Sequence, residues 1–201
     1  GSLPLTASGC EFYAVTSVQL SQMGGIFAVV IENPGATDAN ITVTQNEDFA
    51  PVIDVAPAGG VRVIELPFVT DLWDANKGEL VRDGAYRVQS DRPVRAFQYS
   101  TLNVTASADS SLLWPRHTWG TSYFVASYDA TAVMSGFCRG AWAVVGGEDG
   151  ASVTVTPRPG TKAKGGPGIG VDGGGKAPLD AGDVLQILSD DDGDLTGAMF
   201  V

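Results

Sequence analysis

The sequence predicts an all-β chain built as two tandem antiparallel β-sandwich-like units related by internal duplication, the second unit incomplete at its C-terminus. Three observations predict it. Short runs rich in Val, Ile, Thr, Phe and Tyr are bounded by Gly, Pro, Asn and Asp, the residues of strands and of the turns between them. Nowhere is an apolar period of about 3.6 residues sustained, as a packed helix requires. A series of these runs also recurs in the same order at an offset of roughly 110 to 120 residues, the signature of a repeated unit. The length, 201 residues, suits one large domain or two of about 100, and 44% apolar against 17% charged residues is a globular balance.

Residues 11–18 (EFYAVTSV) and 25–31 (GIFAVVI) read as paired strands around a polar stretch with Gly24-Gly25, the second apolar on both faces and hence central. Asn33-Pro34-Gly35 is a turn. Asn40 to Gln45 alternates, with Ile41 and Val43 on one face and Thr42 and Thr44 on the other, as a half-exposed strand does. Further strands are expected at Val52 to Val55 and, after Ala58-Gly59-Gly60, at Val61 to Leu66. From Phe68 to Asp83 the pattern allows loop or a single helical turn at Thr70 to Ala75. A hairpin is expected next: strands at Tyr86 to Ser90 and Val94 to Tyr99, with a tight reversal at Asp91-Arg92-Pro93. Ser90, Asp91 and Pro93 carry that expectation, since Asp bonds its own backbone in turns and Pro presets φ. A polar loop and an apolar plug, Leu112-Leu113-Trp114, lead to Pro115.

The series then begins again. YFVAS (Tyr123 to Ser127) answers EFYAV, WAVV (Trp142 to Val145) answers FAVV, and SVTVT (Ser152 to Thr156) answers NITVT. Ala181 to Leu188 answers Ala58 to Glu65, and Gly197-Ala198 answers Gly84-Ala85. The expected units are therefore residues 1–115 and 116–201. With Val201 as the counterpart of Val88, the second series stops short of the expected reversal, and unpaired strand edges are open to another chain.

Charge and motifs exclude several chemistries. A net charge of −11 argues against a phosphate-backbone partner, and no apolar run approaches the ~20 residues of a spanning helix. Gly168 to Gly173 is formally G-x-G-x-x-G, but Pro157, Pro159, Pro167 and Pro178 flank it where a phosphate loop needs a strand and a helix, so an inter-strand loop is expected. Asp190, Asp191, Asp192 and Asp194 offer clustered carboxylates for calcium without EF-hand spacing; the other reading is a solvated hairpin tip. No other cofactor is implied. His117, the only histidine, lacks a nucleophile motif and reads as a packing residue beside Trp114 and Trp119. Cys10 and Cys138 are either bonded to each other, separate thiols, or joined to other cysteines. Asn40-Ile41-Thr42 and Asn103-Val104-Thr105 are glycosylation sequons.

The segments GCEFYAV, GAYRVQSDRPVRAFQYSTLN, and ADSSLLWP followed by GTSYFVASY resemble the IgG-Fc-binding protein N-terminal domain family, its bacterial members in particular. Val88, Ser90, Asp91, Pro93 and Val94 match a V-x-S-D-x-P-V pattern; Ser107, Asp109, Ser111, Leu112, Leu113 and Pro115 match S-x-D-x-S-L-L-x-P. The likeness covers most of the chain, although the Gly-rich insert has no counterpart and the match loosens after Val145. It implies an all-β, non-enzymatic, extracellular protein of a family associated in animals with mucus and immunoglobulin binding. The matched positions are turn and core residues, so they mark a scaffold and not a site. The expected function is a binding or adhesion module of a secreted or cell-surface protein, with a protein or glycan ligand. The alternative is a filament or surface-layer protein whose copies complete one another by strand addition. A hydrolase using His117 is the third.

Overall fold

The computed structural model describes residues 6–18, 26–73, 76–102, 109–133 and 136–201, with the side chains of 101–102, 132–133 and 136–138 left aside. Sixteen strands and two short 3-10 turns are assigned among them. Contacts divide the chain into two compact units: Gly1–Thr16, Ser21–Val69 and Asp83–Trp119 form the first; Ser17–Leu20, Thr70–Arg82 and Gly120–Val201 form the second.

The first unit contains β1 (Gly9–Ala14), β2 (Ile26–Glu32), β3 (Ala39–Thr44), β4 (Val52–Ala56), β5 (Val61–Leu66), β7 (Tyr86–Leu102) and β8 (Asp109–Leu113). They form one antiparallel sheet in the order β4-β3-β7-β2-β5, with β1 and β8 also on β7. The sheet curls until its two end strands meet, where Arg62 Nε of β5 reaches Asp54 Oδ2 of β4 at 2.6 Å. Alternation decides what lies inside. Ile41 and Val43 are fully buried while Thr42 and Thr44 are half-buried, and Phe27, Val29 and Ile31 of β2, which lies between β7 and β5, are closed off. Phe27 and Tyr86 stack at 6.0 Å, and the Tyr86 hydroxyl donates to the Pro67 carbonyl at 2.7 Å. Each such large apolar side chain contributes about 1.5–3 kcal/mol by leaving water. Asn33 organises the expected turn: its amide donates to Thr37 and Ala56 carbonyls, and its oxygen accepts from the Gly35 N–H.

The reversal expected at Asp91-Arg92-Pro93 is not formed. β7 is a single strand of 17 residues. Its first half pairs with β3 and β1, from Thr44↔Arg87 to Ile41↔Ser90 and from Ala14↔Tyr86 to Gly9↔Val94. Its second half pairs with β2, from Glu32↔Arg95 to Ile26↔Leu102, and with β8. Residues 91–93 are the corner where the strand changes partners, so the missing N–H of Pro93 costs little there. Asp91 turns outward to β3, accepting from the Asn40 N–H at 2.8 Å and from its side-chain amide at 2.7 Å. The Ser90 hydroxyl donates to the Arg92 carbonyl at 2.7 Å. Asp and Pro suit a corner for the same reasons that they suit a turn, and one dimension does not separate the two.

The second unit contains β6 (Glu79–Val81), β9 (Tyr123–Phe124), β10 (Thr131–Val133), β11 (Gly136–Cys138), β12 (Ala141–Val145), β13 (Ala151–Thr156), β14 (Gly175–Leu179), β15 (Val184–Leu188) and β16 (Met199–Phe200). They form sheets in the orders β12-β15-β6 and β14-β13-β16-β9, with β10 paired to β11. Leu185, Ile187 and Leu195 are fully buried, and Trp142 meets Phe200 edge to face at 4.7 Å. The helical turn allowed at Thr70 to Ala75 is a 3-10 turn, Thr70–Trp73, which inserts Leu72 into this unit together with β6. Gln186 of β15, wholly buried, holds that insertion: it donates to the Leu72 carbonyl at 2.9 Å and accepts from the Val18 N–H at 3.0 Å.

Candidate binding surfaces

The meeting of β4 and β5 is the most apolar open face of the first unit. On β4, Val52, Asp54 and Ala56 point inward, so Ile53 and Val55 point out, exposed by 79% and 42%. On β5, Ile64 and Leu66 are buried while Val61 and Val63 stand exposed by 57% and 46%. Asp54 and Arg62 are joined across the two strands at the solvated surface, and the Arg62 guanidinium, aided by the Val55 N–H, holds the Asp54 carboxyl below its ordinary range. Four exposed β-branched side chains on neighbouring strands are the composition of a contact face, whereas scattered singly they would need no explanation. Both strands are the ends of the paired path through the sheet, and the Val55 N–H is taken by the Asp54 carboxylate at 2.8 Å. The sequence places these strands correctly but hides which face is open. The available signal is Glu65, which shares the Val61-Val63 face and marks it as solvated.

In the second unit a shallow groove lies beside β12. Val144, Val145, Gly146, Val153, Leu179 and Phe200 are among the residues that line it. Gly146 packs so closely on the following loop that an added Cβ would sit 1.9 Å from the Asp180 carbonyl oxygen, so no other residue fits there unchanged. Glu148, Asp149 and Asp180 are exposed on the loops that follow β12 and β14, and Arg82 reaches Asp180 at 3.5 Å. Asp149 accepts from the Ala181 N–H at 3.3 Å and Asp180 from the Gly150 N–H at 2.7 Å, which fixes the loop.

Cations of neighbouring loops pair with the aspartate tract, for which the sequence left calcium binding and a solvated tip open. Lys164 bridges Asp190 at 2.6 Å and Asp191 at 3.1 Å; Arg139 also pairs with Asp191, and Lys162 with Asp192. Arg158 reaches Asp194 at 3.3 Å. Each carboxylate faces a cation of another loop, and among the described residues no three His, Cys, Asp or Glu converge as metal ligands. These pairings hold the carboxyls of Asp190 and Asp191 below their ordinary range, and for Asp194 the Thr196 N–H is the main cause. The tract is an electrostatic clasp between the loops at 158–164 and 189–197.

The remaining expected positions are dispersed. His117 is exposed on a 3-10 turn, Arg116–Thr118, and this turn packs against β1 through Pro115: a Cβ on Gly9 would lie 2.4 Å from that of Pro115. Tyr13 and Trp119 are 5.4 Å apart, with the Arg116 guanidinium 5.3 Å above the Trp119 ring. Trp142 is core, whereas Trp114 is 54% exposed. Cys10 is an exposed free thiol, and the side chain of Cys138 lies outside the described residues. The Gly-rich stretch is a loop leading into strand β14, with Ile169 buried. Asn40 is engaged by Asp91, and Asn103 to Thr105 lie outside the described residues.

No curated protein matches the sequence. A solved structure titled "Crystal Structure of Thermotoga maritima 1070" is similar over 52% of this chain and 92% of that one, at 14% identity and a TM-score of 0.28. A family model described as IgGFc binding protein matches residues 109–200. With that match, the family the sequence resembles, IgGFc binding protein, is shown for residues 109–200 of this chain.

Proposed function

We propose that the chain is a non-enzymatic module that binds a protein partner outside the cell, through the face formed by Ile53, Val55, Val61 and Val63. The family match supports an extracellular protein-binding module. The observation that carries the reading is the meeting of β4 and β5, where four aliphatic side chains stand exposed on neighbouring strands. Such a face gains from hydrophobic burial when a partner covers it.

The test is capture of immobilised immunoglobulin Fc and of mucin by the chain, read by surface-based kinetics, beside an Ile53→Asp/Val63→Asp variant. Both positions are exposed, so the variant should keep its melting midpoint. Capture that falls about a hundredfold or more supports the face, as expected when two central apolar contacts are removed. Undiminished capture by the variant refutes the face, and failure to bind either ligand removes both as partners. Turnover on an ester and glycoside panel, lost in His117→Ala, would overturn the non-enzymatic reading.

A further inference from the structure

Four neighbouring strands of the first unit, β5-β2-β7-β8, share one outer face. Val29 and Ile31 of β2, Ile64 of β5, Ala96 of β7 and Leu113 of β8 belong to the core, so the residues between them point out. The register lines those residues up in rows across the strands. One row is Val63, Val30, Phe97 and Leu112, apolar on all four strands. The next is Val61, Glu32 and Arg95, continued by Trp114 one residue beyond β8. Val61, Val63, Leu112 and Trp114 stand exposed, and Val30 and Phe97 are half-buried. Arg95 reaches both Glu32 oxygens through Nη1, at 3.3 and 3.4 Å, and both side chains are open to solvent. A guanidinium has donors enough to share with a second carboxylate.

We propose that this face closes a homodimer, a second copy of the chain lying on it across a two-fold axis that runs along the strands between β2 and β7. Such an axis keeps each row upon itself while it exchanges β2 with β7 and β5 with β8. Glu32 of each copy then meets Arg95 of the other, so opposite charges face each other on both sides of the axis. In the apolar row Val30 meets Phe97 and Val63 meets Leu112; in the charged row Val61 meets Trp114. Each apolar meeting sets a smaller side chain against a larger one, which lets two sheet faces interdigitate. No like charges are brought together. A face that complements itself in charge and in size is what an isologous contact needs, and its Phe, Trp and Arg are the residues that interface cores favour. The dimer goes beyond the protein partner proposed above and stands on a different observation. Val61 and Val63 serve both faces, so a second copy and that partner compete for them.

The test is sedimentation velocity of the full chain over a dilution series, beside Arg95→Glu, Glu32→Arg and an equimolar mixture of the two variants. The expected result is a dimer that dissociates on dilution. Either charge reversal should weaken it at least about a hundredfold, since each gathers like charges at the axis. The mixture should recover the dimer, because the acidic pair of one variant then faces the basic pair of the other; recovery also shows that both variants fold. Should a reversal fail to fold, Leu112→Asp, at an exposed position, is the second variant and should dissociate the dimer as well. A chain that is monomeric at every concentration overturns the proposal. So does a dimer unchanged in these variants, a mixture of folded variants that does not recover, or assemblies beyond the dimer that grow with concentration, since a two-fold contact is closed. Capture of Fc and mucin is measured on Arg95→Glu, which keeps Ile53, Val55, Val61 and Val63. Capture by a chain that never dimerises sinks this proposal alone, and a dimer that captures neither ligand sinks only the β4–β5 face.

Discussion

Replacing Gln186 by Met should unfasten the segment that the second unit takes from early in the chain. The substitution keeps the side chain's length and removes both of its hydrogen bonds. The Leu72 carbonyl is buried, so leaving it unpaired costs about 2–3 kcal/mol; the Val18 N–H is part-buried and costs about 1. Summed, about 3–4 kcal/mol is lost. At about 4 °C or more per kcal/mol for a unit of ~100 residues, the midpoint should fall by at least about 12 °C. Gln98→Met in β7 is the internal comparison. Gln98 accepts a single part-buried bond, from the Val15 N–H at 2.9 Å, and its loss should cost about 1 kcal/mol. Calorimetry reads the stability, and amide exchange by mass spectrometry over residues 70–82 reads the location. The reasoning fails if the two variants melt alike, or if exchange at Glu79–Val81 is unchanged in Gln186→Met.

Three further outcomes are expected. Burial pushes the Tyr86 hydroxyl up to about 12, above its unfolded value near 10. The folded state therefore holds this proton longer, so its contribution is full below pH ~10 and is lost as pH rises toward 12; in Tyr86→Phe, alkaline unfolding curves should lose this component. The carboxyls of Asp190 and Asp191 titrate low because Lys164 and Arg139 face them, so their contribution is present above about pH 4 and disappears as pH falls through the lowered values. Lys164→Met should raise both carboxyl midpoints in a carbon-13 NMR titration, and high salt should shrink the difference; midpoints that stay put would exclude the clasp. Cys10, exposed and free, should alkylate in the native chain without reductant; mass gain only after reduction would restore a disulfide to Cys138 or to another molecule.

Strand identity was legible because it is local chemistry. Ile41, Thr42, Val43 and Thr44 alternate in the sequence and in burial, and Val61 to Leu66 is a strand with the bounds its residues imply. Proline placement also excluded a phosphate loop after Gly168, where strand β14 follows. What local chemistry could not convey was direction and partnership. Asp91 and Pro93 are equally at home in a reversal and in a corner, and the choice fell to Asn40, 51 residues away, which captures the Asp91 carboxylate. Nothing local announced that Arg139, Arg158, Lys162 and Lys164 would be brought against Asp190 to Asp194. The sequence alone determined an all-β chain with few helical residues, since periodicity and turn chemistry act over a handful of neighbours. Only the tertiary structure decided that Leu72 and β6 serve the second unit and that β7 runs through its corner. Those outcomes depend on which distant groups satisfy one another's hydrogen bonds and charges.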